Sequence, residues 1–157
     1  MRMLGVFLWT AFLLFTLLLY VHEEGRRLAE YRGLVRLISH VNDCLVTAPC
    51  PLEEIYLRFS DEALARTAFL SHLQNEGLSA ALLRGGLHLS PAEREPFLLY
   101  AEALGTRLYE TEKQKTEELL RHASETLKEK TAEAPRRHKL TTTLFFTGGM
   151  LLLLLLL

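Results

Sequence analysis

Two long stretches of the chain, one towards each end, contain no charged residue. Residues 3–21 and 140–157 lack Asp, Glu, Lys and Arg, and the second stretch closes with seven consecutive leucines. A helix needs about 20 apolar residues to cross a bilayer core, where every backbone polar group must be paired within the segment. The pattern therefore predicts one transmembrane helix at 3–21 and another at 140–157.

Two other interpretations of these stretches are less favourable. The basic residue Arg2 suits a cleaved signal peptide, but the apolar part is long and residues 19–23 offer no small-residue cleavage site. The second stretch could be a lipid-anchor signal, but basic rather than small residues precede it at 136–139. We therefore expect both spans to be retained.

Basic residues flank the two stretches on the side of the middle segment. Loops rich in Lys and Arg remain in the cytoplasm, and such side chains lie at the level of anionic headgroups. The pattern predicts a cytoplasmic domain at 22–139 whose partners include membrane lipids. The predicted membrane-interface residues are Arg26, Arg27, Arg136, Arg137 and Lys139.

Apolar residues recur in the middle segment at steps of three and four, which is the period of a helix face. The first helix continues from the first span, because no proline intervenes before Pro49. Pro135 is expected to end the last helix. No segment alternates as a strand would, so the domain is predicted to be all-α, an antiparallel bundle of about five to six helices flanked by the two spans. The further helices are expected at 52–59, 60–75, 78–84, 90–105 and 107–134.

Two helix starts carry recognisable signals. Ser90 and Glu93 have the spacing of a capping box, in which each side chain bonds the backbone N–H of the other residue. Pro51 suits the first position of a helix, where its missing N–H would have no partner in any case. Both signals favour short helices that follow loops.

Charge and cysteine content limit the possible functions. The formal net charge is −1, so a general nucleic-acid-binding role is not expected. Cys44 and Cys50 are expected to be reduced in the cytoplasm.

No motif predicts catalysis or a cofactor. His40, Cys44 and Cys50 lie close in sequence, but they supply three ligands at most where structural zinc takes four. The adjacent pairs Glu53-Glu54 and Glu117-Glu118 diverge around a helix and suit solvated faces. We expect no enzyme activity, no metal and no cofactor.

Several short motifs, in order along the chain, match one family. That family has an apolar helix ending in an acidic-isoleucine pair, then a Pro-Leu and a Glu, and Leu45, Pro51, Leu52 and Glu54 fall at its spacing. The segment EGLSAALL, which contains Gly77, is similar to a Gly-x-Ser segment of the family, and Leu104-Gly105 to a Leu-Gly turn. In these features the chain resembles the stage III sporulation protein AB family.

The sequence also departs from the family pattern. Cys44 replaces the acidic residue before Leu45, and Tyr109 stands where a second Leu-Gly is expected. Thr111 and Glu112 replace a Ser-Asp pair.

The resemblance implies a scaffold of the sporulation channel complex in the mother-cell membrane. It implies a domain related to the cytoplasmic domains of the type II secretion platform protein. Its implied partners are other channel components, including a cytoplasmic secretion-type ATPase; the oligomeric state stays open. The implied structural or partner-facing residues are Leu45, Pro51, Leu52, Glu54, Gly77 and Gly105.

A membrane-tethered regulator or sensor is the alternative function. In that case the bundle would bind a small ligand between its helices. A cavity lined by Phe69, Phe97 and Tyr100 would favour this alternative.

Overall fold

The computed structural model of the chain describes the backbone of residues 2–47, 50–106 and 108–156. Side chains are described for the same residues except 2–8, 10, 137, 138 and 150–156.

This described part of the chain is helical and contains no strand, so the predicted all-α class is confirmed. Its helices are α1 (Arg2–Thr47), α2 (Leu52–Arg58), α3 (Glu62–Ala65), α4 (Phe69–Glu76), α5 (Leu78–Arg84), α6 (Pro91–Ala103) and α7 (Tyr109–Leu156).

The first helix, α1, runs without interruption from the first apolar stretch into the middle segment, as predicted. Its buried side chains follow the predicted three- and four-residue spacing along one face. The short helices α2 to α6 supply most of the remaining core, including Ile55, Leu64, Phe69 and Phe97. The buried residues of α1 with apolar side chains are Tyr31, Leu34, Leu37, Ile38, Val41 and Leu45.

The single helix predicted for residues 60–75 is wrong, because the structure has two helices there, α3 and α4. Thr67 lies between them. Its Oγ1 donates to the Leu64 carbonyl at 2.8 Å and accepts from the Phe69 N–H at 3.2 Å. Such local side-chain bonds compete with the backbone ladder of a helix, which explains the break.

The predicted end of the last helix at Pro135 is also wrong. The helix α7 continues through Pro135 to Leu156 and is 48 residues long. A proline inside a helix removes one backbone hydrogen bond and can bend the axis. Here the helix has many backbone hydrogen bonds on both sides of Pro135, so it continues although this one bond is missing.

The capping box predicted at the start of α6 is confirmed in both directions. The Ser90 hydroxyl accepts from the Glu93 N–H, and Glu93 Oε2 accepts from the Ser90 N–H at 2.7 Å. Pro51, by contrast, occupies the N-cap position of α2, one residue before the position expected from the sequence.

The chain divides into two compact units, Arg26–Lys128 and Met1–Gly25 with Glu129–Leu157. We call the first the helical domain and the second the helix pair. In the helical domain α1 and α7 are antiparallel, because Tyr109 bonds to Leu45 and Tyr31 shares a hydrogen bond with Thr126.

The helix pair brings the first part of α1 against the last part of α7. A Cβ placed on Gly149 would lie 2.8 Å from Leu13 Cδ1, so the two helices approach each other closely at this glycine. Many large apolar side chains of the pair are exposed. They include Phe12, Leu14, Phe15, Leu18, Leu19, Leu140, Leu144 and Phe146, each more than half exposed.

Within the part of the chain that the structure describes, no helix has an apolar run long enough to span a bilayer. The predicted spans 3–21 and 140–157 include side chains that lie outside the described residues, at 3–8, 10 and 150–157.

Buried carboxylates attach the short helices and loops to α1. Glu30 is only 2% exposed; its Oε2 accepts from the His88 N–H at 2.6 Å, and its Oε1 lies 2.8 Å from His88 Nδ1. Asp61 caps α3 by accepting from the Ala63 and Leu64 N–H groups.

Both Asp61 and Glu93 also pair with arginines of α1. The Asp61 carboxylate binds Arg36 at 2.8 Å, and Glu93 binds Arg27 at 2.8 Å. Gly33 lets α3 approach closely, because a Cβ there would lie 2.8 Å from both Asp61 Oδ1 and Leu64 Cγ.

The variant Glu30→Ala should lower the free energy of unfolding by about 3 kcal/mol, because it removes the acceptor of two hydrogen bonds made by His88. Glu62→Ala is the matched control. Its carboxylate is 87% exposed and paired with the exposed Arg66, so its loss should cost less than about 0.5 kcal/mol. Denaturation of the full chain in detergent, followed by circular dichroism, measures both; equal losses would contradict the role given to Glu30.

Candidate functional site

A groove of about 380 Å³ lies between α2, the junction of α4 and α5, and the end of α6. We call it the terminal groove. Its apolar lining includes Leu52, Leu73, Leu78 and Leu104, and its polar lining includes Glu53, Gln74, Asn75 and Glu76.

The terminal groove brings together residues from three separate family-like motifs. Leu52 and Gly77 line it directly. Gly105 lies beside it, because a Cβ on Gly105 would be 3.6 Å from Leu52 Cδ1. Gly105 has φ +81, a left-handed conformation that glycine adopts without strain.

The other three motif residues lie outside this groove. Leu45 is 9% exposed and belongs to the core. The exposed Pro51 directs its carbonyl at the N–H groups of Glu54 and Ile55. Glu54 forms a surface ion pair with Arg58 within α2.

Glu112, treated in the sequence only as a departure from the family pattern, supports the turn after α6. It is 5% exposed, and its Oε1 accepts from the Gly105 N–H at 3.2 Å. Its Oε2 is buried and has no hydrogen-bond partner among the described residues. The sequence could have indicated this role, because Glu112 lies in the first turn of α7, where the helix dipole favours acidic side chains.

Tyr109 also has a structural role that the sequence did not indicate. Its hydroxyl donates to the Leu45 carbonyl, in the last turn of α1, where carbonyls lack partners within the helix. This bond places residues 108–109 beside the end of α1, where Val46 is exposed. We call Val46, Leu108 and Tyr109 the terminal patch; they are 53%, 82% and 44% exposed.

Tyr56 lines the terminal groove, and the buried Tyr100 lies near it. The Tyr100 hydroxyl lies 2.7 Å from Thr116 Oγ1, and both residues are buried. Burial raises the pKa of Tyr56, and the neighbouring Tyr100 and Glu112 raise it further. Tyr56 therefore lines the terminal groove as a neutral side chain at physiological pH.

The predicted membrane-interface residues are placed differently from one another. Arg27 is bound to Glu93, so it helps to hold α6 against α1. Arg26 is half-buried, whereas Arg136 and Lys139 are exposed. The side chain of Arg137 lies outside the described residues.

The cysteines lie near the end of α1 and the start of α2. Cys44 Sγ is 4.0 Å from His40 Nε2, and Cys44 also interacts with Cys50. Among the described side chains, no group of three or more His, Cys, Asp or Glu residues has an arrangement suited to a metal ion.

Of the three side chains proposed to line a ligand cavity, Tyr100 lines a separate groove of about 520 Å³, whereas Phe69 and Phe97 are packed in the core. Phe69 and Phe97 are 0% and 1% exposed. The ring of Phe97 packs edge-on against Tyr31, with centroids 5.6 Å apart. Gly85 contacts Phe69, since a Cβ there would lie 2.8 Å from Phe69 Cα. Neither phenylalanine lines the terminal groove, so this groove does not provide the cavity that the sensor hypothesis requires.

In comparisons with known proteins, no family model matches the chain, and neither a curated protein nor a solved structure matches it.

The thiol of Cys44 should react with iodoacetamide only at higher pH than a cysteine in an unfolded chain. Burial raises its pKa, with smaller contributions from Cys50 and Asp43, and only the thiolate reacts. In a Cys50→Ser variant, the midpoint of the rate–pH profile should lie above that of the same variant in urea. Coincident midpoints would contradict this prediction. The midpoint is compared because it depends on the pKa of the thiol, whereas the rate also depends on how accessible the thiol is to iodoacetamide.

Proposed function

We propose that this chain is a membrane-anchored, non-enzymatic assembly protein whose helical domain docks other components of a membrane complex. The membrane anchor is inferred from one observation, the apolar surface of the helix pair. Its described side chains are uncharged over residues 9–21 and 140–149, and the largest are mostly exposed. Soluble monomers rarely expose apolar patches of this kind.

The contact at Gly149 supports the same proposal. Helices in lipid associate through small residues that permit close approach, since burial of apolar surface gives little advantage there. Gly149 provides such a contact for Leu13. The resulting arrangement is two helices that pack at a glycine and direct large apolar side chains outwards.

The arrangement of basic residues supports a cytoplasmic location for the helical domain. Arg26 follows the first predicted span, and Arg136 and Lys139 precede the second. The exposed Arg136 and Lys139 can reach anionic headgroups, whereas Arg27 is engaged by Glu93.

The terminal groove and the terminal patch support docking of a protein partner. Leu108 in the patch is 82% exposed, the groove has leucines in its lining, and apolar anchors of this kind carry most of the affinity at interfaces. Glu53 and Glu76 line the groove, and Glu76 is paired with His72 and Arg84. The complementary partner surface is therefore mainly apolar, with a basic side chain opposite Glu53.

The resemblance to the stage III sporulation protein AB family suggests which protein this partner is. On that basis the chain is a scaffold of the mother-cell-to-forespore channel, and the partner is another channel component, with the cytoplasmic secretion-type ATPase as the first candidate. Support for this assignment comes from Leu52, Gly77 and Gly105, since motif residues distant in sequence meet at one groove.

Protease added to intact protoplasts should leave residues 22–139 uncut, because both spans hold the helical domain on the cytoplasmic side. The same protease should cleave that segment once the protoplasts are permeabilised, which controls for intrinsic resistance. Immunoblotting with an antibody against the helical domain measures the outcome. Cleavage in intact protoplasts would overturn the orientation.

A photo-reactive amino acid at position 108 should cross-link to a channel component, the ATPase being the first candidate, during spore formation. The matched control is position 83, because Leu83 is 58% exposed and lies outside the groove and patch. Leu108→Asp should reduce the yield of heat-resistant spores by about tenfold or more, as expected if one apolar anchor is lost, while Leu83→Asp should not. Normal spore yield in a strain lacking the gene would refute the assignment.

A further inference from the structure

A second groove, of about 220 Å³, lies on the helical domain between α1 and α3. We call it the arginine groove. Its charged lining residues are Arg26, Arg32, Arg36, Arg66, Glu30 and Glu62.

The packing of α3 on α1 creates this cluster from two distant segments. Gly33 allows Asp61 and Leu64 to lie directly against α1, because a Cβ at this position would lie 2.8 Å from an atom of each residue. Arg66, at the C-cap of α3, therefore joins arginines that lie about 30 to 40 positions earlier in the chain.

The carboxylates at the groove are already engaged. Both oxygens of Glu30 bind His88, and its side chain is 3% exposed. Glu62 pairs with Arg66 at 2.6 Å. Asp61, beneath the groove, holds Arg36 at 2.8 Å and caps α3.

This pairing leaves two arginines without an acidic partner. Among the described residues, neither Arg26 nor Arg32 has a carboxylate within ion-pair distance. Taken with Asp61, the groove combines four arginines with three carboxylates, so its net charge is about +1, and Arg26 and Arg32 are the two arginines that no carboxylate of the described residues holds.

We propose that the arginine groove binds a phosphate group. Guanidinium groups bind phosphate through two parallel hydrogen bonds, and they remain charged at all physiological pH values. The volume of about 220 Å³ is below the roughly 300–1,000 Å³ of sites for drug-sized ligands, so it suits a small anion or a headgroup.

Two sources could supply this phosphate. Arg26 lies five residues beyond the predicted end of the first span, about 8 Å along α1, within reach of the phosphate of an anionic lipid. Arg32 lies about 17 Å beyond that end, where a soluble phosphate is the nearer source. Only the lipid source rests on the membrane anchor proposed above.

The test uses the full chain, with the arginine Nε–Hε signals observed by NMR. In one arm, inorganic phosphate is titrated into the chain in a neutral detergent at constant ionic strength, with chloride as the replaced anion. In the other arm, nanodiscs of phosphatidylcholine alone are compared with nanodiscs that also contain phosphatidylglycerol.

The site variant is Arg26→Gln with Arg32→Gln. The matched control is Arg58→Gln with Arg84→Gln, which removes the same charge from exposed positions outside the groove. Circular dichroism confirms that both variants fold, and single substitutions at positions 26 and 32 replace the double variant if it does not.

Saturable shifts of the Arg26 and Arg32 signals are expected in at least one arm. Shifts with inorganic phosphate identify a soluble source, and shifts only with phosphatidylglycerol identify the lipid. The site variant should weaken binding by about tenfold or more, and the control by less than about twofold.

Unshifted signals in both arms, or equal weakening by the two variants, would overturn the proposal. The detergent arm does not depend on the orientation in a membrane, so its result is separable from the outcome of the protease experiment.

Discussion

The fold of the helical domain depends on the apolar stripe along α1. Five of the helices that pack around it have between 4 and 13 residues. Helices of this length are unstable alone in water, because too few hydrogen bonds offset the cost of starting a helix. They persist here because residues such as Leu34, Ile38 and Val41 provide a continuous surface on which they bury their own apolar side chains.

Charged groups on the same helix fix where each short element lies along that stripe. Glu30 holds the segment before α6 through His88, while Arg27 and Arg36 hold α6 and α3 through Glu93 and Asp61. Apolar packing alone specifies position weakly, whereas charged groups held by hydrogen bonds require defined partners. One consequence is that Arg27 serves the fold, although its place in the sequence suggested a membrane contact.

The two grooves of the helical domain share no lining residue. The arginine groove lies along residues 26–36 of α1, and the terminal patch lies at its end, near Leu45. About 14 Å of helix separates Arg36 from Leu45. In the two proposals, one surface binds a phosphate group while the other docks a protein. A scaffold needs this separation, because two partners can then be bound without competing for the same side chains.

Local pattern in the sequence determined the helical class, the continuity of α1 and the capping box at Ser90, since each depends on residues within a few turns of one another. The helix boundaries predicted from this pattern were wrong at Thr67, where a helix breaks, and at Pro135, where a helix continues, because each outcome depends on a single side chain. Only the tertiary structure decided the sites. Leu52 meets Gly105 and Arg66 meets the arginines of α1 through contacts between distant segments, and helical periodicity carries no information about such contacts. The sequence therefore shows which side chains each helix presents, and packing determines which of them lie together.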